Sequence, residues 1–406
     1  MPEPRFLQIH TLTSYTAALL NRDDSGLAKR LPYGGALRTR ISSQCLKRHW
    51  RMADDPRRPG GGDPHGLHGI LKAERAARSR DLIVDGERGA VGRLRGRYPD
   101  DVLHAIEPWF NFVVYGGGSK EDRKPNWGGK PVKTDNKSER QTLLFGEPEL
   151  RWLSEQAEVI ARNAGGNPKA AFEGARDWAE GKGDKKAFKE NIKAMRDATA
   201  LPGGLTAALF GRMVTSDTAA NITAPVHVAH AFTVHAEESE SDYFTAVDDL
   251  SEDEPGADTI QETELTSGLF YGYVVVDLTG LRRNLGAVAD DLTGPVLHNL
   301  VHLIAEVSPG AKLGSTAPYG RPGLMLLEAG DRQPRSLAEA FRDPCAPNMG
   351  VAIDRLLEHL AALDRAYATG EERRVLSLRN APVDGAASAT LKGLADWAAA
   401  LPARLA

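Results

Sequence analysis

The chain has 406 residues, a formal net charge of -4 at pH 7, 41% hydrophobic residues and 26% charged residues. This composition is ordinary for a soluble globular protein, and the length allows two or three structural units. No apolar run approaches the roughly 18 residues that span a bilayer. The chain has only two cysteines, Cys45 and Cys345, and this low number argues against a disulfide framework and a cysteine-rich zinc site.

The N-terminal segment is predicted to form an opening strand. MPEPRFLQIH lacks the apolar core of a signal peptide, so we expect a cytoplasmic protein. FLQIHTLTSY, from Phe6, has β-branched and aromatic residues close to alternation, which predicts a strand. NRDDSG then begins a turn-rich connection to a second short strand, RTRIS.

The segment from Arg22 to Arg51 is basic although the whole chain is slightly acidic. It holds eight Lys or Arg residues against two Asp residues. On a strand, Arg38 and Arg40 would point to one face, and SSQ supplies an N-cap for a helix. The free amides and dipole of a helix N-terminus attract phosphate oxygens. We therefore predict a surface that contacts a nucleic-acid backbone and does not read bases, the alternative being a solvated basic helix face. Its members are Arg38, Arg40, Ser42, Ser43, Gln44, Lys47, Arg48 and Arg51.

Residues 59–204 are predicted to be a helical insertion. The Pro/Gly-rich stretch DDPRRPGGGDPHGL indicates a break in the chain. Helical patterns rich in Ala, Arg and Glu follow, interrupted by a long polar loop around Trp127 that we interpret as solvated or disordered. Just beyond the insertion, GRMVTSD is a second candidate binding segment, because Arg212, Thr215 and Ser216 could donate to phosphates. Met213 could wedge against a base, but from the residue type alone we expect it to be buried.

Two further strands and an acidic hairpin are predicted next. VHVAHAFTVHAE alternates as one strand, with Val226, Val228, His230, Phe232 and Val234 on one face. Its histidines are not expected to share a metal, since His227 and His235 would lie about 26 Å apart and His230 would face the other way. From Glu237 to Glu264 there are twelve acids and no Lys or Arg, with a Pro-Gly turn that indicates a hairpin. LFYGYVVVDL is the strongest strand in the chain.

The motif HNLVH places two histidines four residues apart on a predicted helix that ends near Glu306. His298 and His302 have metal-competent spacing, but Asn299 replaces the glutamate of an H-E-x-x-H metalloprotease. Glu306 would lie about 12 Å from His298 at 1.5 Å per residue. We therefore interpret both histidines as packed side chains and expect no metal and no cofactor. G-x-S-x-G, Walker A and C-x-x-C motifs are absent from the sequence, so no enzyme is indicated.

A series of motifs runs through the chain in order: NRDD, GG, RISSQ and LKR, then GRMVTS, HAFTVH, DYFTAVDDL, SGLFYGYVVVDL and SPGAK. This series resembles the CasC family, the repeated backbone subunit of the type I-E CRISPR effector complex (Cascade), over nearly the whole chain. The resemblance implies an α+β fold with an RRM-like (ferredoxin-like) palm at 1–58 and 205–406. It also implies a helical finger at 59–204 and a protruding β-hairpin thumb at 238–268.

The resemblance further implies a non-enzymatic protein that polymerises along a CRISPR RNA. Its partners would be copies of itself and other Cascade subunits, and no membrane is expected among them. The guide stays available to pair with target DNA. From their positions in the matching motifs, the residues that would line the groove for the RNA backbone are Asn21, Arg22, Lys29, Ser42, Gln44, Lys47, Arg48 and Arg51. Arg212 and Met213 would lie beside a displaced base. The acidic thumb would either avoid the phosphates or pair with the basic segment of a neighbouring copy. The rival functions are a metal-dependent RNA-processing enzyme and a general single-strand binder.

Overall fold

The computed structural model describes residues 3–56, 61–71, 77–115, 124–128, 142–181, 188–199, 201–214, 217–247, 257–379 and 382–405. The chain divides into two compact units. The first contains Met1–Ile70, Val226–Thr279 and Asp290–Ala406, and the second contains Leu71–Pro225 and Gly280–Ala289. The sequence placed the corresponding divisions at 58/59 and 204/205. No helix among the described residues is long and apolar enough to cross a membrane.

The strands are numbered here in chain order. They are β1 Phe6–Ala18, β2 Arg30–Tyr33, β3 Ala36–Ile41, β4 Ala77–Ser79, β5 Leu143–Phe145, β6 Val226–Val228, β7 Ala231–Thr233, β8 Ser239–Val247, β9 Ala257–Asp277, β10 Pro322–Gly330, β11 Glu372–Ser377 and β12 Ala386–Ser388. The first unit contains a ten-stranded sheet in the order β12-β11-β10-β1-β9-β7-β3-β2, with β6 and β8 also paired to β9. The pairing is antiparallel except between β11 and β12. The fold is therefore mixed α/β with a large, mostly antiparallel sheet.

The helices are also numbered in chain order. They are α1 Ser43–Met52, α2 Leu67–Leu71, α3 Asp100–Val114, α4 Glu147–Asn163, α5 Pro168–Glu180, α6 Phe188–Ala198, α7 Gly204–Phe210, α8 Leu278–Leu285, α9 Ala289–Glu306, α10 Leu313–Thr316, α11 Met349–Tyr367 and α12 Leu391–Ala400. Short 3-10 segments lie at Gly92–Leu94, Thr218–Ala220, Gly286–Val288, Ala338–Phe341 and Leu401–Arg404.

Strand β1 lies in the middle of the sheet and is buried along its first eight residues. Leu12 belongs to an apolar cluster with Ile353 and Leu356 of α11. Ile9, whose side chain alternates to the other face, lines a small cavity together with Ile304 of α9. Helices therefore cover both faces of the sheet, which explains why β1 reads as a nearly continuous apolar run.

Strands β2 and β3 form a tight hairpin that the sequence analysis missed in part. Tyr33 pairs with Ala36, so only Gly34 and Gly35 connect the strands. Both glycines have positive φ (58° and 77°), as a two-residue turn of this kind requires. A Cβ on Gly34 would lie 1.5 Å from the carbonyl oxygen of Arg342, so this position needs glycine for space as well. The two glycines between the NRDD and RISSQ motifs are thus a hairpin turn.

The strand predicted over VHVAHAFTVHAE is interrupted. Val228 pairs with Val274, whereas Phe232 pairs with Tyr271, so four steps along this strand face three steps along β9. The extra residue is a β-bulge between β6 and β7. It breaks the predicted alternation, because His230 is exposed while the residues from 231 to 235 are all buried.

Strands β8 and β9 pair in antiparallel register, with Ser239 opposite Thr266 and Val247 opposite Ala257. Residues 248–256, which include the predicted Pro-Gly turn, lie outside the described residues. Beyond Thr266, the partner of β9 changes to β1, from Ala18 to Phe6. One continuous strand therefore belongs both to this hairpin and to the central sheet.

The second unit is mainly helical. Helices α3, α4 and α5 share an apolar core that contains Phe110, Leu150, Leu153 and Trp178. The rings of Phe110 and Trp178 stack with their centroids 4.2 Å apart. The two short strands β4 and β5 pair beside this core.

Candidate nucleic-acid interface

The NRDDSG loop is folded by its own polar groups. Oδ1 of Asp23 accepts hydrogen bonds from the amides of Ser25 (2.9 Å) and Leu27 (3.0 Å). Gly26 provides the positive φ of 88° that the turn needs. Asp23 therefore serves the loop, and the neighbouring Arg22 is exposed.

The start of helix α1 is built by a chain of hydrogen bonds. Oγ of Ser42 accepts from the amide of Cys45 at 3.3 Å, which is the N-cap that the sequence predicts. The amide of Ser42 donates in turn to Oδ1 of Asn21 at 2.8 Å. Ser42 and Ser43 are buried and Gln44 is exposed. Since no acid occupies the first turn of α1, its positive dipole end is not compensated there.

Several cations gather around this helix start. Burial, together with the charges of Arg40, Lys29 and Lys47, lowers the pKa of His230. Nη1 of Arg40 can therefore donate to the unprotonated Nδ1 of His230, 3.0 Å away. On the other side, the charges of Arg48 and Lys29 act on the thiol of Cys45, whose pKa burial nevertheless raises to about 11. These cations therefore lie close enough together to act electrostatically on the same two side chains, His230 and Cys45.

These cations have no acidic partners within the part of the chain that the structure describes. No described carboxylate pairs with Arg22, Lys29, Arg40, Lys47 or Arg48. Arg22 and Arg48 are exposed, and the other three are half-exposed. We call these five residues together with Gln44 the α1 surface. Arg51, one turn further along the helix, is also half-exposed, but it already interacts within the chain, and we leave it out of this surface.

Arg30 differs from its basic neighbours because it is neutralised within the chain. Its guanidinium donates to both Glu237 and Glu264, at the base of the β8–β9 hairpin. Glu264 also accepts from the amide of Ala28 at 2.6 Å. Two of the acids counted in the acidic segment thus pair with the basic segment of the same chain. The acids at 252–254 lie outside the described residues.

Arg38 does not reach the surface. Its side chain is fully buried, and its guanidinium donates to the backbone carbonyls of Thr233 (2.9 Å), Phe341 (3.1 Å) and Arg342 (3.1 Å). The alternation of β3 does put Arg38 on the same face as Arg40, but at Arg38 this face is covered by the segment around Phe341. The interpretation of Arg38 as an exposed phosphate contact disagrees with this burial, and we leave it out of the α1 surface.

Arg212, in the second unit, is also buried and paired. Its Nη1 donates to Glu149 at 2.6 Å, and its Nε donates to the carbonyl of Ala220 at 2.8 Å. Glu149 accepts at the same time from Nε of Arg196 (2.6 Å), and Nη1 of Arg196 donates to Asp217 at 2.5 Å. This network fixes Arg212 and Asp217, which lie on either side of Met213 in the chain. Arg212 is therefore engaged within the unit and is not exposed to a ligand.

Met213 is exposed between these fixed points. Its exposed fraction is 68%, so the expectation from residue type that it is buried was wrong. The position beside a displaced base that the resemblance implies for Met213 stays a prediction. Thr215 and Ser216 lie outside the described residues.

Comparisons with known proteins give one family and a set of similar folds. The sequence profile of a family described as CT1975-like protein matches residues 7–399. No curated protein sequence matches the chain. A chain of a solved "CRISPR RNA-guided surveillance complex, pre-nicking" has a TM-score of 0.73 at 24% identity, covering 98% of this chain and 100% of that chain. A chain of another solved "CRISPR RNA-guided surveillance complex" has a TM-score of 0.65 at 22% identity, covering 97% and 99%. At such identities these similarities concern the fold.

Proposed function

This chain belongs to the CT1975-like protein family, and from that premise we propose that it is a non-catalytic, RNA-binding backbone subunit of a CRISPR effector complex. The complex is Cascade of type I-E, in which the chain takes the place of CasC. Several copies bind one CRISPR RNA end to end in the cytoplasm, with other Cascade subunits, and hold it for pairing with target DNA. Base pairing then supplies sequence specificity, and the protein supplies shape and spacing.

The α1 surface is the observation that carries this proposal. Five cations without described acidic partners surround a helix N-terminus, and such a surface attracts the phosphates of a nucleic-acid backbone. It has no array of donors and acceptors spaced to read base edges, so it suits a guide of any sequence. Further support comes from the solved chains of similar fold, both from RNA-guided surveillance complexes.

The other parts of the fold receive matching assignments. The first unit is the palm, with an RRM-like arrangement at its centre, and the second unit is the helical finger. Strands β8 and β9 form the thumb. Met213, exposed on a segment that Arg212 and Glu149 hold in place, acts as an apolar wedge beside a displaced base. The thioether of a methionine can pack against any of the four bases, so this contact does not depend on the RNA sequence.

Charge reversal on the α1 surface tests the proposal. The double variant Lys29→Glu/Arg48→Glu is compared with Arg365→Glu/Arg379→Glu, which makes the same charge change at exposed positions of the same unit. Each protein is co-expressed with a CRISPR array and its partner subunits and examined by native mass spectrometry. We expect wild type and the control to carry several copies on one short RNA of defined length, and the α1 variant to lose this assembly. A nucleic-acid-free monomer from wild type, or equal assembly of all three proteins, would contradict the proposal.

A metal-dependent RNA-processing enzyme is the second candidate, because ring nitrogens of His65, His298 and His302 approach one another in the first unit. Labelled RNA incubated with the protein and Mg²⁺ or Mn²⁺ separates the two functions. The backbone subunit leaves the RNA intact. Cleavage that disappears in His298→Ala would instead establish the enzyme.

A further inference from the structure

Three histidines from two distant segments meet in the first unit. His65 lies in the Pro/Gly-rich stretch after α1, and His298 and His302 are one turn apart on α9. One ring nitrogen from each residue lies within 4.8 Å of the corresponding nitrogens of the other two. The rings of His65 and His302 are stacked with centroids 3.7 Å apart, and the ring of His298 is 5.0 Å from that of His302. The sequence spacing revealed the helical pair, whereas the third member comes from a loop that the sequence did not connect to it.

The hydrogen bonds of His302 leave one of its nitrogens available. Nδ1 of His302 lies 2.9 Å from Oε2 of Glu306 and can donate its proton to that carboxylate. Nε2 is then the unprotonated nitrogen. It is buried and has no hydrogen-bond partner among the described residues. A carboxylate on one ring nitrogen and a free lone pair on the other is the arrangement that metal-ligating histidines usually have.

The surroundings of the other two histidines are also suited to a cation. Nδ1 of His65 lies 3.6 Å from Asp63 and 3.8 Å from Glu306. Nε2 of His298 lies 3.4 Å from Asp396. The side chains of His65 and His298 are 28% and 27% exposed, so an ion can reach the cluster from solvent. A carboxylate therefore lies beside each of the three imidazoles, and two of these carboxylates, Glu306 and Asp396, also pair with Arg321 and Lys392.

We propose that His65, His298 and His302 form a binding site for a divalent transition-metal ion of the Zn²⁺ type, with water or a neighbouring carboxylate as the fourth ligand. Imidazole nitrogens are preferred ligands of Zn²⁺, Ni²⁺ and Cu²⁺, whereas Mg²⁺ and Ca²⁺ prefer oxygen. Two histidines four residues apart on a helix, completed by a third from elsewhere, are a known way to build such a site.

The geometry needs only a local adjustment. Ring nitrogens bound to one Zn²⁺ at about 2.0–2.1 Å are at most about 4.2 Å apart. Binding requires the stacked rings of His65 and His302 to rotate, so that their lone pairs converge on the ion and the nitrogens approach to that separation. The bound ion would tie the loop that carries His65 to α9. The side-chain Nδ2 of Asn299 on the same helix already donates to the carbonyl of Gly66 at 3.5 Å.

Metal binding to the purified full chain tests the proposal. The protein is made without a histidine tag, stripped with a chelator, and titrated calorimetrically with Zn²⁺. Co²⁺ is added separately, because its visible absorption reports four-coordination. We expect saturation at one ion per chain and a loss of affinity of at least tenfold in His298→Ala. His104→Ala removes an exposed histidine of the other unit and leaves binding unchanged. No saturable binding by wild type, or equal binding by wild type and His298→Ala, would overturn the site.

A second comparison addresses the role of Glu306. Glu306→Gln should weaken binding by about 10- to 100-fold, as is typical when the carboxylate partner of a ligating histidine is changed. Arg321→Gln removes the arginine partner of Glu306 without changing a histidine, and should bind as wild type does. If a histidine variant misfolds, the rise in melting temperature that Zn²⁺ produces in wild type gives the answer, and no rise would refute the site. Retained Zn²⁺ binding by Lys29→Glu/Arg48→Glu would show that the site does not depend on the RNA function.

Discussion

Replacing Arg38 by leucine should unfold the first unit more readily and should not act directly on RNA. The sequence alone suggested the opposite role, so this substitution separates a structural arginine from a binding one. In the folded chain, the guanidinium of Arg38 donates to three backbone carbonyls at 2.9–3.1 Å and to that of Tyr33 at 3.3 Å. Leucine has a shorter side chain, so it fills part of the space and leaves these acceptors without donors.

The size of the effect follows from these bonds. A hydrogen bond that involves a charged group contributes about 1.5–3 kcal/mol net, so the three short ones amount to about 4.5–9 kcal/mol. Part of this is offset by the cost of burying the guanidinium, and the same burial lowers the pKa of Arg38. We therefore expect a loss of about 3–5 kcal/mol, comparable to breaking a buried charged contact. For a domain of 150–250 residues this lowers the melting temperature by about 6–20 °C.

Thermal unfolding followed by circular dichroism measures this loss, with Arg48→Leu as the exposed control. Arg48→Leu should melt as wild type does and bind RNA more weakly. Arg38→Lys keeps the charge but cannot reproduce the fork of donors, so it should also melt early. The reasoning would be refuted if Arg38→Leu melted at the wild-type temperature and had lost RNA binding.

Three further predictions concern salt, acid and alkylation. Lys47→Ala/Arg48→Ala should reduce the slope of log affinity against log salt for single-stranded RNA by about 1.4, since each phosphate contact contributes about 0.7; an unchanged slope in filter-binding titrations would exclude phosphate contacts there. Although burial opposes its charge, hydrogen bonds from His10 and a nearby arginine hold the pKa of Glu328 well below its usual 4.5. The ionised carboxylate therefore contributes fully to the free energy of unfolding above about pH 4.5, and this contribution is lost on acidification. Glu328→Gln should accordingly lose less stability than wild type below about pH 5; parallel acid denaturation curves would contradict this. Because burial raises the pKa of Cys45 to about 11, iodoacetamide should label it slowly at neutral pH and faster only in strong alkali; labelling at the rate of free cysteine would count against it.

Local signals in the sequence were sufficient for the start of α1. The capping pattern of Ser42 and the polar residues that follow it involve neighbours within one turn, and α1 begins at Ser43. The basic character of this helix and the acidic character of the β8–β9 segment could also be predicted, because charge is a property of composition. What composition did not reveal is which charges are already paired, as Arg30 is with Glu237 and Glu264.

The features that could not be predicted depend on distant partners. Alternation along β3 indicates which face Arg38 occupies but not that Phe341, 303 residues away, covers it. The bulge before β7 is defined only by the register against β9. His65 lies in a Pro/Gly-rich loop whose composition gives no hint of α9. Met213 is exposed although its residue type favours burial, and ion pairs hold the nearby Arg212 and Asp217.

Strand β9 also determines how stiff the β8–β9 hairpin is. Its 21 residues run without interruption from the pairing with β8 into the pairing with β1, and Thr266 pairs with both Ser239 and Ala18. On this side, therefore, no loop separates the hairpin from the sheet, and Arg30 ties the base of the hairpin to the start of β2. A hairpin joined to the sheet in this way cannot rotate freely about a hinge. If copies stack along the guide as proposed, the rigid hairpin sets the interval between displaced bases. This interval is then fixed in each subunit before the RNA binds.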